Sequence, residues 1–175
     1  MAGLSTLGII HTAISLVALG AGVRAFIRYK GITAGTAAGQ LYIAMTVLTC
    51  VSGFFIFAHG AFGKPHALGI LTLAVMALAG AARMTRWFGR ASAALETVAY
   101  SLTFFFHMIP GVTETSTRLP AGSPLVASPE APELVAVTGA MFLIFLVGAV
   151  LQVRALRAAR GGMPSPAARA AQAGG

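Results

Sequence analysis

The stretch SAALETVAYSLTFFFHMIPGVT, residues 92–113, decides how this chain folds and where its polar groups lie. It is an apolar run of bilayer length, yet polar side chains recur along it in steps of three and four residues, the repeat of one helix face. Ionisable residues in such a run are costly and usually face a bundle interior, a cavity or a cofactor. We therefore predict a polar stripe that faces the inside of a helix bundle. The stripe consists of Glu96, Tyr100, Thr103, His107, Gly111 and Glu114, with Arg118 one turn further along.

The composition indicates an integral membrane protein. Of the 175 residues, 57% are hydrophobic and 9% are charged, and the mean hydropathy is +0.85, whereas a soluble domain carries roughly a quarter charged residues. The net charge is +8, but the basic residues stand at the ends of apolar runs, where they act as topology signals and contact anionic lipid. We expect the lipid bilayer and other membrane proteins as partners, and no nucleic acid.

The hydropathy pattern predicts an all-α integral membrane protein with five transmembrane helices in a single domain, residues 1–160. Spans one to four are expected to form a bundle with a polar interior, and span five to lie outside it, since it offers packing but no ligand or charge. Residues 161–175, rich in Gly, Pro, Ala and Ser, are expected to form a disordered cytoplasmic tail. The predicted spans are Leu4–Val23, Leu41–Phe62, Ala67–Ala82, Ser92–Thr113 and Leu134–Val153.

The distribution of basic residues predicts the orientation. The connections after spans one, three and five hold most of the Arg and Lys, while the alternate connections hold Lys64 and Arg118 together with three glutamates. The positive-inside rule therefore places the N-terminus outside and the C-terminus in the cytoplasm. The short segment Gly63–Pro65 predicts that spans two and three form an antiparallel hairpin. The basic residues that directly follow spans one, three and five are Arg24, Arg28, Lys30, Arg83, Arg86, Arg90, Arg154, Arg157 and Arg160.

The four histidines are predicted to lie in the outer half of the membrane, one on each of the first four spans. At 1.5 Å of rise per residue, His11 and His107 lie roughly 10 and 9 Å below the outer boundary, and His59 and His66 roughly 5 and 0 Å below it. Imidazole ligates haem iron, zinc and copper. We expect the two deeper rings to approach each other as an axial pair for haem b, and all four to be candidate ligands of haem or a transition metal. The same rings can instead hydrogen bond to a backbone carbonyl, a hydroxyl or a lipid headgroup.

Two carboxylates on the fourth span have predicted partners. Glu114 and Arg118 form an i,i+4 pair of the favourable orientation, which we expect to lie close to His66. Glu96, near the cytoplasmic end, is expected to pair with a neighbouring arginine. These groups can also orient a ligand histidine from behind or relay protons. The candidate supporting or relay residues are Glu114, Arg118, Thr103, Tyr100 and Glu96.

Part of the chain resembles an uncharacterised bacterial group of predicted multi-pass membrane proteins, a domain of unknown function. The resemblance covers roughly residues 8–120, and its more specific elements are an FG-x-x-H turn at Phe62–His66 and an E-x-x-x-R-L-P motif at Glu114–Pro120. At Gly31–Gly35 this chain lacks a basic, His-containing stretch that the group often carries. The resemblance implies a helical bundle in the bacterial inner membrane and no known activity. The segments that carry it are FGKPHALGILTLA, YSLTFFFHMIPGVTETSTRLP and, more loosely, HTAISLVALGAGVRAFIRYKG.

Three functions fit the sequence. The first is a haem- or metal-binding membrane protein for electron transfer or cofactor handling. The second is an accessory or structural subunit whose buried polar residues specify helix packing. The third is a proton-coupled carrier that uses the stripe as a relay, although five spans without an internal repeat argue against it. The sequence contains no HExxH motif, nucleophile elbow or Gly-rich phosphate loop, so any enzymatic activity is expected to be redox chemistry.

Overall fold

The computed structural model describes residues 5–56, 62–85 and 87–161. Within these ranges the chain is built from α-helices with one short 3-10 helix, and it contains no strand, which confirms the all-α prediction. The predicted tail after residue 161 and the candidate ligand His59 lie outside the described residues. The helices are α1 (Thr6–Tyr29), α2 (Ala37–Gly53), α3 (Lys64–Thr85), α4 (Ser92–Arg118) and α5 (Pro132–Gly161), and the 3-10 helix Gly89–Ala91 leads into α4.

Three of the described helices, α1, α3 and α5, are long and apolar enough to cross a membrane. Helix α2 has 17 residues, a length of about 26 Å at 1.5 Å per residue, which is less than the ~30 Å of a bilayer's hydrocarbon core. Helix α4 has 27 residues but does not join the apolar helices, because its stripe and several hydroxyl residues lower its hydropathy. For α2 and α4, membrane crossing therefore stays a prediction, as does the orientation of the chain.

Helix ends follow from local capping chemistry. The hydroxyl oxygens of Ser5 and Thr36 each accept a hydrogen bond, 3.1 Å long, from the backbone N–H of Gly8 and Gly39 respectively, so α1 and α2 begin with side-chain caps. Helix α1 ends at Tyr29, and the C-cap residue Lys30 adopts a left-handed conformation with φ of 61°, a common helix stop.

The structure corrects the predicted end of α2 and the predicted start of α3. Helix α2 ends at Gly53 rather than near Phe62, and the backbone N–H of Phe54 bonds back to the last turn. Helix α3 already includes Lys64 and Pro65, because proline fits the first turn of a helix, where its missing N–H is not needed. The predicted turn residues are therefore largely helical.

The first four helices form a closed ring. Helix α1 packs on α2, α2 on α3, α3 on α4, and α4 returns to α1, while α5 packs on the outside against α4. Small buried residues let these helices approach closely. At Gly22 in α1, an added methyl group would lie 2.5 Å from the Phe104 ring of α4. The buried alanines are Ala18, Ala21, Ala25, Ala38, Ala79, Ala82 and Ala99.

The bundle has two ends, each with one carboxylate of the α4 stripe. The Glu96 end contains Glu96, the start of α4 and the end of α3. The Glu114 end contains Glu114, the end of α4 and the start of α3.

Candidate functional site

The polar stripe of α4 is buried over its first half and emerges from the bundle over its second. Glu96, Tyr100, Thr103 and His107 are 5%, 3%, 0% and 7% exposed. Gly111 is half-buried and the last two positions of the stripe are exposed. The periodicity of the sequence thus predicted the interior face of α4 correctly as far as the level of His107.

His107 joins α4 to α1. Its Nε2 lies 2.7 Å from the hydroxyl oxygen of Ser15, and either atom can be the donor, depending on the tautomer of the ring. The other ring nitrogen, Nδ1, remains as the atom that could bind a ligand. The sequence did not identify Ser15 as the partner of this ring.

His11 joins α1 to α2 in the same way. Its Nδ1 lies 3.0 Å from the hydroxyl oxygen of Ser52, and that hydroxyl lies 3.1 Å from the backbone carbonyl of Thr49. When Ser52 donates to this carbonyl, its single proton is used, so Nδ1 of His11 must carry the proton that it shares with Ser52. The ring of His11 is half-buried rather than enclosed.

The structure brings the two deeper histidines into one neighbourhood. Ser15, the partner of His107, follows His11 by one helical turn on α1. His11 and His107 are thus attached to neighbouring turns of the same helix. The direct approach of the two rings to each other stays a prediction.

The donor set limits which cofactor these histidines fit. Among the described residues, no group of three or more His, Cys, Asp or Glu side chains is arranged to hold a metal ion, and zinc sites take three or four protein ligands. Two histidines match the axial ligands of a haem. Between α1 and α4, however, the His107–Ser15 hydrogen bond and the contact of Phe104 with Gly22 hold the helices in direct contact, so a porphyrin there would have to separate them.

His66 is buried at the start of α3. Its Nδ1 accepts a hydrogen bond of 3.2 Å from the backbone N–H of Gly63, and its ring centroid lies 5.2 Å from that of Phe62. These contacts lie within the FG-x-x-H turn of the sequence and order the entry into α3. The predicted approach of His66 to the Glu114–Arg118 pair stays a prediction.

The predicted pair at the Glu114 end is confirmed. A carboxylate oxygen of Glu114 lies 2.6 Å from Nη2 of Arg118. Both side chains are more than half exposed, and ion pairs at such positions contribute little to stability because water competes for both charges.

A hydroxyl pair in the middle of the bundle joins α2 to α4. The hydroxyl oxygens of Tyr42 and Thr103 lie 2.9 Å apart, and neither residue is exposed. Thr103 donates its proton to the backbone carbonyl of Tyr100, at 2.8 Å. It therefore accepts from Tyr42, and both hydroxyl protons are used.

Glu96 connects three segments at its own end of the bundle. Its Oε1 accepts a hydrogen bond of 2.9 Å from the backbone N–H of Ala34 in the α1–α2 connection, and it lies 3.3 Å from Nη1 of Arg83 in α3. The expected ion pair is thereby confirmed, with Arg83 as the partner. The backbone contact was not predicted, because nothing in a single sequence places that connection over α4.

Helix α5 takes part in the polar contacts through one amide that the sequence analysis missed. Gln152 bonds to the hydroxyl of Ser101 in α4. The distances from the Ser101 Oγ are 3.0 Å to Nε2 and 3.1 Å to Oε1 of the amide. The same Nε2 donates to the backbone carbonyl of Lys30 at 3.1 Å. A polar residue inside an apolar membrane helix usually bonds to a neighbouring helix, and this was the signal that could have identified Gln152.

No protein-family model, curated protein or solved structure matches this chain.

Proposed function

We propose that this chain is a membrane protein that serves as a non-catalytic accessory or structural subunit. Its polar interior specifies how its helices pack. The observation that carries this proposal is that three buried polar residues of the α4 stripe each bond to a different helix. His107 bonds to α1 and Thr103 to α2, while Glu96 bonds to α3 and to the α1–α2 connection. Such contacts fix register and neighbours without requiring a ligand.

The outer surface supports the same proposal. Along α5, large apolar side chains such as Leu143, Ile144 and Val147 are exposed. In a membrane these residues would contact lipid tails or the helices of another membrane protein. We propose the bacterial inner membrane as the location, with the N-terminus outside, on the basis of the basic residues and the resemblance described above.

A double-mutant cycle on the full chain in detergent tests this function. Ser15→Ala and His107→Ala should each lower stability, and the coupling between them should be about 0.6–1.7 kcal/mol, the range for hydrogen bonds between membrane helices. Absorption spectroscopy and metal analysis of the wild-type protein should find no stoichiometric haem or metal. A stoichiometric cofactor that His107→Ala removes would overturn the structural proposal.

The second candidate is a haem or transition-metal protein for electron transfer or cofactor handling. His11 and the Ser15 that bonds to His107 lie one turn apart on α1, and each imidazole is oriented by a serine hydroxyl. This arrangement favours the second candidate, because ligand histidines are usually held by such a second contact. The ligand role predicts a Soret band that is lost in His11→Ala and in His107→Ala but retained in His66→Ala. Retention of any such band in both of the first two variants would contradict ligation by this pair.

A further inference from the structure

An open cleft of about 480 Å³ lies at the Glu96 end of the bundle. Three arginines from different elements line it: Arg83 of α3, Arg90 of the 3-10 helix and Arg160 of α5. The carboxylate in its lining is Glu96, which already pairs with Arg83. With three arginines and one glutamate, the formal charge of the lining is +2.

The arginines come together through the tertiary structure. Arg160 donates a hydrogen bond to the backbone carbonyl of Arg90, which holds the end of α5 against the segment before α4. The half-buried side chain of Arg160 thereby stays at the cleft. Bringing like charges together is unfavourable unless an anion compensates them.

One residue of the cleft lining carries a buried hydroxyl without a partner among the described residues. Ser92 is 7% exposed and lines the cleft, yet its Oγ has no hydrogen-bond partner among the described residues. A buried hydroxyl without a partner costs free energy, so such groups are normally satisfied by protein, water or ligand. Ser92 is also the first residue of α4, which begins without a side-chain cap, and the positive end of a helix dipole attracts anions.

We propose that this cleft binds a phosphate group. Guanidinium groups donate in a planar fork that matches phosphate oxygens, the Ser92 hydroxyl supplies a further donor, and the start of α4 adds a favourable electrostatic field. The ligand is the phosphate of a lipid headgroup or free inorganic phosphate. The exposed side chains of Trp87 and Phe88, next in sequence to the cleft, favour a lipid source, because aromatic residues concentrate at the level of lipid headgroups.

The first test compares two arginines of α5. Arg160 lines the cleft, whereas Arg157 is exposed on the same helix and does not contribute to the lining. Arg160→Gln and Arg157→Gln remove the same charge from the same helix. In the full chain in non-ionic detergent, the first variant should weaken phosphate binding about tenfold, the loss expected for one hydrogen bond to a charged group. The second should leave binding nearly unchanged.

Two probes distinguish the sources of the phosphate. Native mass spectrometry with phosphatidylglycerol against phosphatidylcholine reports retention of a lipid headgroup, and calorimetric titration with inorganic phosphate reports the free ion. Selective retention of phosphatidylglycerol, lost in Arg160→Gln, identifies the lipid source; saturable binding of inorganic phosphate, lost in the same variant, identifies the free ion. Binding of neither probe, or equal loss in both arginine variants, would overturn the proposal.

Ser92→Ala provides a second test that does not rely on charge. Because the hydroxyl has no protein partner in the described structure, its removal should leave the thermal unfolding temperature without added ligand nearly unchanged. Binding of the probe identified above should nevertheless weaken roughly three- to tenfold. Unchanged binding in a variant with normal helicity by circular dichroism would remove Ser92 from the site and contradict the proposed geometry.

Discussion

The carboxylates at the two ends of the bundle lie in opposite environments. Glu96 is buried and bonds both to Arg83 and to the backbone N–H of Ala34. Glu114 pairs with Arg118 over a shorter distance, but both side chains are largely exposed. A buried carboxylate must have its hydrogen bonds satisfied by protein, whereas an exposed one exchanges them with water at little cost. The shorter ion pair is therefore the less important one for stability.

The strongest test of this difference is Glu96→Ala. It leaves the Ala34 N–H and Arg83 without their partner and should lower the free energy of unfolding by about 2–3 kcal/mol. This loss is smaller than that expected for breaking a fully buried ion pair, because Arg83 is half-exposed. The matched control Glu114→Ala should cost at most about 0.5 kcal/mol. Thermal or denaturant unfolding in detergent measures both, and equal losses would contradict the comparison.

A smaller effect is expected between the two ends, at the contact of α1 with α4. Gly22→Ala would push a methyl group into the ring of Phe104, which is itself held by the rings of Phe26 and Tyr42 at centroid distances of 5.1 and 6.1 Å. Overpacking of this kind costs about 1–3 kcal/mol.

The control at this contact is Gly20→Ala, since a methyl group there meets no atom within 4 Å. In an unfolding experiment it should be neutral or slightly stabilising, because alanine favours the helix more than glycine does. A Gly22→Ala variant as stable as wild type would show that α1 and α4 can separate, which would remove the steric argument against a haem between them.

The uncharged contact between Tyr42 and Thr103, in the middle of the bundle, should contribute still less to stability. Tyr42→Phe removes the hydroxyl that donates to Thr103 while keeping the ring, and should cost about 1 kcal/mol. The exposed Tyr29 in α1 supplies the control, because Tyr29→Phe removes a hydroxyl that water can satisfy. If Tyr42→Phe lowered the free energy of unfolding as much as Glu96→Ala does, charge would not determine which of these contacts contributes more to stability.

The smallest effect is expected where α5 joins the bundle. Gln152→Leu removes the bonds to Ser101 and to the Lys30 carbonyl but adds apolar surface, so we expect a net loss of about 0.6 kcal/mol, the average for hydrogen bonds between membrane helices. Val150→Leu, on an exposed position of the same helix, is the control. A gain in stability for Gln152→Leu would indicate that the amide limits which helices α5 can pack against and does not strengthen its packing on α4.

The sequence predicted the features that depend on local spacing. The stripe of α4 and the Glu114–Arg118 pair follow from helical geometry within one segment, and both are present in the structure. The partners Ser15, Ser52 and Gln152 were not identified, because the register between two helices depends on the packing of many small side chains. The end of α2 at Gly53 was also missed, because hydropathy continues beyond the residue at which the helix stops.

The polarity of α4 has a consequence for how the chain enters a membrane. Helix α4 is the described long helix that does not meet the hydropathy of a spanning segment, and its polar groups find partners on Ser15 of α1, Tyr42 of α2 and Arg83 of α3. All three helices are synthesised before it. We therefore expect α4 to insert poorly when placed alone in a host protein and efficiently in the full chain, a difference that glycosylation mapping can measure. Equal insertion in both settings would contradict this dependence. Unequal insertion would mean that α4 enters the membrane only through its contacts with the helices that precede it.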